Sequence, residues 1–145
     1  MEHAKEIIAF AGLEVHFYFD QLDTDGQSTM FKVVAHPGAR MGVPHYHEAF
    51  DEAIYGLKGN TTYMVDGKTV EVGPGTPLFI KRGVTHGFAN NTTEPTEFLC
   101  MITSPTFGPP YFREAGAVLS QPGPPDTPRL KEILLRHGLV PVMQS

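Results

Sequence analysis

The 145-residue chain is poor in cysteine, in positive charge and in long apolar runs, and each shortage excludes something. A single cysteine, Cys100, rules out an internal disulfide framework and suits a reducing compartment, so a cytoplasmic location is expected. It lies within FLCMI, where a thiol reads as an inert core side chain. Eleven Lys and Arg stand against 16 Asp and Glu, and the basic residues are scattered. No basic stripe is therefore offered to nucleic acid or to an anionic membrane. No stretch approaches the ~18 apolar residues of a bilayer span. The opening MEHAKEIIAFAG carries acids and an apolar run too short for a signal peptide. Strand-like segments are not separated by helical periods of about 10–15 residues, which excludes a parallel βαβ sheet.

What the chain has is punctuation: 15 glycines and 13 prolines. Between them, LEVHFYFD and TMFKVVAH are rich in aromatic and β-branched residues and flank QLDTDGQS, a turn signal. AIYGLKG and TTYMVDGKTVEVG follow, the second broken by the Asp66-Gly67 turn, and then PLFI, THGFAN and TEFLCMIT. About seven to nine short strands at even spacing describe an all-β sandwich or barrel. Residues 1–104 are expected to form that barrel. Residues 105–145 hold eight of the 13 prolines and read as a tail with one or two short helices. Asp126 or Thr127 can cap one helix, with Pro128 in its first turn and Gly138 at its end. Its apolar stripe, Leu130, Ile133, Leu134 and His137, should dock on the barrel or on a partner. The other helix is expected near Tyr111 to Leu119.

The chemistry concentrates in PHYHEAFDEAIYGLKG. On a strand, residues i and i+2 point to one face, so His45 and His47 present both imidazoles to the same side. A turn at EAF would let the next strand return Glu52 against that face, and His86 follows in a third segment. Three imidazoles and a carboxylate make a cage for one divalent transition metal: Fe, Mn, Ni, Co or Zn. The absence of thiolates points away from a closed structural zinc site. Four filled positions leave one or two for water, dioxygen or substrate. Of the four remaining histidines, His16, His36 and His137 read as surface or satisfied core residues and His3 as part of a frayed terminus, and Asp51 reads as a solvated or ion-paired carboxylate.

The spacing around these residues resembles the cupin family. The first motif of that family is matched by Gly38 or Gly42, His45, His47, Glu52 and Gly59, and the second by Gly75, Gly83, His86 and Asn90. Lys81 departs from it, standing where the family usually has proline. The resemblance implies a double-stranded β-helix, or jelly-roll barrel, with His45, His47, Glu52 and His86 as metal ligands. It also implies a small-molecule substrate rather than a polymer, nucleic acid or membrane. Aromatics near the motifs (Tyr46, Phe50, Tyr55, Tyr63, Phe79 and Phe88) are candidates for the barrel mouth, though most read as ordinary core. Three activities fit. One is a dioxygenase-type oxidoreductase on a small aromatic or enol-like substrate, similar to quercetin 2,3-dioxygenase-type cupins, with Glu52 accepting a proton. Another is a metal-dependent isomerase, decarboxylase or lyase. The third is a non-catalytic sensing module. A homodimer is expected, because a small open barrel leaves an edge strand that a partner covers, with LEVHFYFD and the tail as the cover.

Overall fold

A computed structural model describes residues 3–41, 43–103 and 107–142. Gly42, one of the two candidate starts of the first motif, and the expected boundary at 104/105 lie outside the described residues. In chain order the elements are β1 (Glu6–Phe10), β2 (Leu13–Phe19), β3 (Ser28–Ala35), β4 (His45–His47), β5 (Glu52–Lys58), β6 (Thr61–Val65), β7 (Lys68–Val72), β8 (Pro77–Ile80), β9 (His86–Ala89) and β10 (Thr96–Thr103). The helices α1 (Pro109–Leu119) and α2 (Thr127–Arg136) follow, then a last short strand, β11 (Leu139–Pro141).

The strands form two antiparallel sheets, ordered β1-β2-β3-β10-β5-β8 and β11-β4-β9-β6-β7. Period-two alternation places Val15 and Phe17 of β2, Phe31 and Val33 of β3, and Phe98, Cys100 and Ile102 of β10 inside. Tyr63 and Leu139 reach the same core from the other sheet. The protein is thus all-β, a jelly roll with a short helical appendage. Two strands were not anticipated. β1 came from a run read only as too short for a leader, and β11 contains a proline that argues against a strand. β1 pairs with β2 through the two-residue Ala11-Gly12 turn, both residues at positive φ, and β11 exists because the distant β4 supplies its hydrogen bonds.

The tail docks on the barrel. The Asp126 carboxylate caps α2 by accepting from the Arg129 amide at 3.1 Å, and Leu130, Ile133 and Leu134 are buried. His137 sits just past the helix, at its C-cap, and meets Glu114 of α1. Helix α1 lies against β1, where a Cβ on Gly116 would approach within 3.0 Å of Phe10, so the residue must be small. No described helix is long and apolar enough to cross a membrane.

Candidate metal centre

Strand alternation and register assemble the centre. His45 and His47 leave the same side of β4, and β4 pairs with β9 so that His45 stands opposite His86. The three ring centroids are 4.7 to 5.2 Å apart. One ligating atom from each ring lies within 4.8 Å of the others, and all three side chains are buried. The ring orientations are set from behind. His45 Nδ1 contacts the Val43 carbonyl at 2.9 Å and His86 Nδ1 the Val84 carbonyl at 3.1 Å. A carbonyl only accepts, so each Nδ1 carries the proton and each Nε2 keeps its lone pair. His47 is held differently, stacked on Phe50 with centroids 4.4 Å apart and planes at 25°.

The Nε2 atoms of His47 and His86 are buried without a hydrogen-bond partner among the described residues. An orphaned buried polar atom costs about 1–3 kcal/mol, so leaving several at one point is unfavourable unless something binds there. A cation meets that requirement. Burial is the main force lowering the His45 pKa to about 3, aided by His86. His47 falls to about 2 by burial and by its neighbours His45 and His86. Both rings are therefore neutral at pH 7, the protonation state a metal ligand needs. The residues present fit a divalent transition metal.

Glu52 stands on the next strand, β5, and faces the histidines; that strand belongs to the facing sheet. Its Oε1 lies 3.8 Å from His47 Nε2 and 4.0 Å from His86 Nε2. These separations are too long for hydrogen bonds and suit atoms facing a common centre. Burial raises the Glu52 pKa, while His86 and the Cys100 thiol act in the opposite sense. Asp51 points elsewhere. Its carboxylate accepts from the Arg82 amide at 2.8 Å and pairs with the guanidinium at 3.1 Å. The segment before His86 turns without a proline at Lys81. Val84 donates to the Lys81 carbonyl at 3.2 Å, Gly83 adopts φ +84°, and its amide donates to the His47 carbonyl at 2.8 Å. Glycine supplies the positive φ, and this turn also fixes the Val84 carbonyl that holds His86. Asn90 ties a further turn, donating to the Ala35 and Glu94 carbonyls.

A cavity of about 80 Å³ opens onto His45 and Glu52. Of the aromatics singled out in the sequence, Tyr63 and Phe88 line it and Phe50 supports His47. Tyr55 and Phe79 instead lie on the outer face, 47% and 60% exposed, and Tyr46 is half-buried on the side of β4 away from the histidines. The tail contributes Phe107, Tyr111 and Leu134 to the cavity wall, which the sequence did not reveal. Cys100, read as a core thiol, is buried but also lines the cavity, with Sγ 3.6 Å from Glu52 Oε2. The alternation of TEFLCMIT is the signal that places it inward. Burial, reinforced by Glu52, pushes its pKa well up, so the thiol keeps its proton. Lysine and arginine are absent from the described cavity wall.

Comparison with known proteins agrees with this geometry. The Cupin_2 family, a cupin domain, matches residues 31–102. The quercetin 2,3-dioxygenase of Bacillus subtilis (strain 168) is 30% identical over 96 residues, 66% of this chain but only 28% of that protein. The chain thus spans under a third of that relative's length. Among solved structures, a predicted oxalate decarboxylase from Thermotoga maritima is 25% identical with a TM-score of 0.61, covering 68% of this chain and 90% of that one. The polyketide cyclase RemF from Streptomyces resistomycificus is 25% identical with a TM-score of 0.62, covering 75% and 81%. A sugar phosphate isomerase from Silicibacter pomeroyi DSS-3 is 27% identical with a TM-score of 0.56, covering 63% and 59%.

Proposed function

We propose, from the premise that this chain belongs to the cupin family, that it is a metal-dependent oxidoreductase of the dioxygenase type acting on a small, uncharged aromatic or enol-like molecule. The observation that carries this reading is the cavity wall. Among the described residues it is apolar apart from His45, Glu52, Cys100 and the hydroxyls of Tyr63 and Tyr111, and holds no lysine or arginine. Beyond the ion itself, the described wall offers no positive side chain to a second charge on a phosphorylated sugar or a dicarboxylate, whereas a ring bearing one hydroxyl or carbonyl suits its apolar surface.

In this reading His45, His47, His86 and Glu52 hold the ion. Bound there, a divalent transition metal supplies Lewis acidity toward a substrate oxygen and one or two open positions. Glu52, the carboxylate nearest the open positions, takes the proton of the substrate hydroxyl. Tyr63 is buried and its phenol is held well above its ordinary pKa, so it stays protonated and has an O–H to donate. The surrounding rings exclude water. The likeness to a polyketide cyclase favours a second reading with the same cavity, a non-oxidative rearrangement of an enolate.

Metal-loaded protein incubated with flavonols, diketones and catechols in an oxygen electrode tests both. Oxygen uptake that Glu52→Gln abolishes supports the dioxygenase. Turnover that continues without oxygen replaces it with the second reading, and saturable binding without turnover leaves a sensing module. We further propose a homodimer, with the exposed outer face formed by Tyr55, Leu57 and Phe79 as the covered surface.

A further inference from the structure

Glu52 and Cys100 sit on neighbouring strands, β5 and β10, whose register sets Ile102 opposite Glu52 and Ile54 opposite Cys100. Both side chains face the interior, and the two oxygens of the buried carboxylate have different surroundings. Oε1 faces the Nε2 atoms of His47 and His86, which are buried and without hydrogen-bond partners among the described residues. Oε2 faces the Cys100 thiol at 3.6 Å, within reach of an S–H···O hydrogen bond. Among the described residues this thiol is the one hydrogen-bond donor to the carboxylate. Without it, a glutamate with three rotatable bonds in a cavity has no polar contact selecting one orientation.

We infer that Cys100 is a positioning residue for the metal centre: its thiol tethers Glu52 Oε2 and so turns Oε1 toward the point shared by the three imidazoles. With Oε2 tethered, Glu52 would offer a bound ion one oxygen rather than two, which would keep a position free for substrate. Outer-shell partners of this kind are commonly worth about 10–100-fold in metal affinity. The inference rests on the reading of Glu52 as the fourth ligand.

The test is a Co(II) titration of metal-stripped protein, read by visible absorption, for wild type, Cys100→Ala, Cys100→Val, Glu52→Gln and the Cys100→Val/Glu52→Gln double variant. Alanine is smaller and valine larger than cysteine, so a loss common to both follows the missing donor rather than the volume. Circular dichroism of each metal-free variant checks folding, and the alanine variant carries the test if valine overpacks the strand. Both single Cys100 variants are expected to bind Co(II) about tenfold or more weakly, with an altered d–d band pattern. In the Glu52→Gln background, Cys100→Val should cost nothing further. Unchanged affinity and spectrum in both Cys100 variants overturns the inference. So does an equal loss with and without Glu52, which would make the thiol act by another route. If Glu52→Gln alone leaves Co(II) affinity unaltered, the reading of Glu52 as a ligand falls, and this inference with it.

Discussion

His86 and His36 differ in what surrounds their Nε2 atoms, and the contrast yields the first prediction. His36 Nε2 contacts Glu14 Oε2 at 2.6 Å on the surface, while His86 Nε2 is buried without a partner among the described residues. His86→Ala should weaken metal binding by more than the ~10–100-fold that an outer-shell loss costs, and His36→Ala should leave it unchanged. Metal analysis by mass spectrometry after loading distinguishes them. The second prediction concerns pH. His45 and His47 titrate near 6.5 when unfolded but at about 3 and about 2 when folded, so between these limits the unfolded chain binds more protons. The metal-free protein should hold its full contribution from these residues above pH ~6.5 and lose stability as pH falls, by roughly 1.4 kcal/mol per pH unit for each histidine. Glu52 works in the opposite sense, since a raised carboxyl pKa favours the folded state most at low pH. Urea denaturation of metal-free protein between pH 7 and pH 4 measures the slope. A flat profile would contradict the buried, neutral assignment of the two rings.

At the scale of elements, β4 is the critical piece. It pairs with β9 at one position, His45 with His86, but with β11 at three, Leu139 with His47, Val140 with Tyr46 and Pro141 with His45. The strand that carries two histidines is therefore held largely by the end of the tail. Helix α2 leads directly into β11, and its Leu134 is buried and lines the cavity. Leu134→Ala should destabilise the fold by about 2–5 kcal/mol and also weaken Co(II) binding, although the residue offers no ligating atom. Chemical denaturation and calorimetric titration check the two effects. A loss of stability with unchanged Co(II) affinity would show that β11 does not hold the centre together. Much of α2 was readable in the sequence: Asp126 as cap, Pro128 in the first turn, Gly138 beyond the end at φ +82°. Its connection to β4 was not, because three residues ending in proline carry no strand signal of their own.

For the molecule as a whole, the sequence-based expectation made LEVHFYFD and the tail the cover of the open edge in a dimer. The structure puts β2 between β1 and β3, so its backbone is already paired, and the exposed edges of that sheet are β1 and β8. Phe79 of β8, diagonal to Tyr55 of β5, and Leu57 further along β5 share its outer face, 60%, 47% and 42% exposed. Light scattering should return twice the 15.9 kDa chain mass, and Phe79→Glu should return it to one without altering Co(II) affinity. A wild-type protein that is monomeric at tens of micromolar removes the dimer.

The amino-acid sequence by itself determined the all-β class, the turns and the shared face of His45 and His47. These follow from local rules: alternation along a strand, positive φ at glycine, and side-chain capping. Tertiary structure alone decided that Glu52 comes from the facing sheet, that the tail walls the cavity and secures β4, and that Cys100 stands beside the carboxylate. Each depends on which sheet a strand joins and which neighbour it meets. That choice is made by burial and long-range pairing, and no local pattern encodes it.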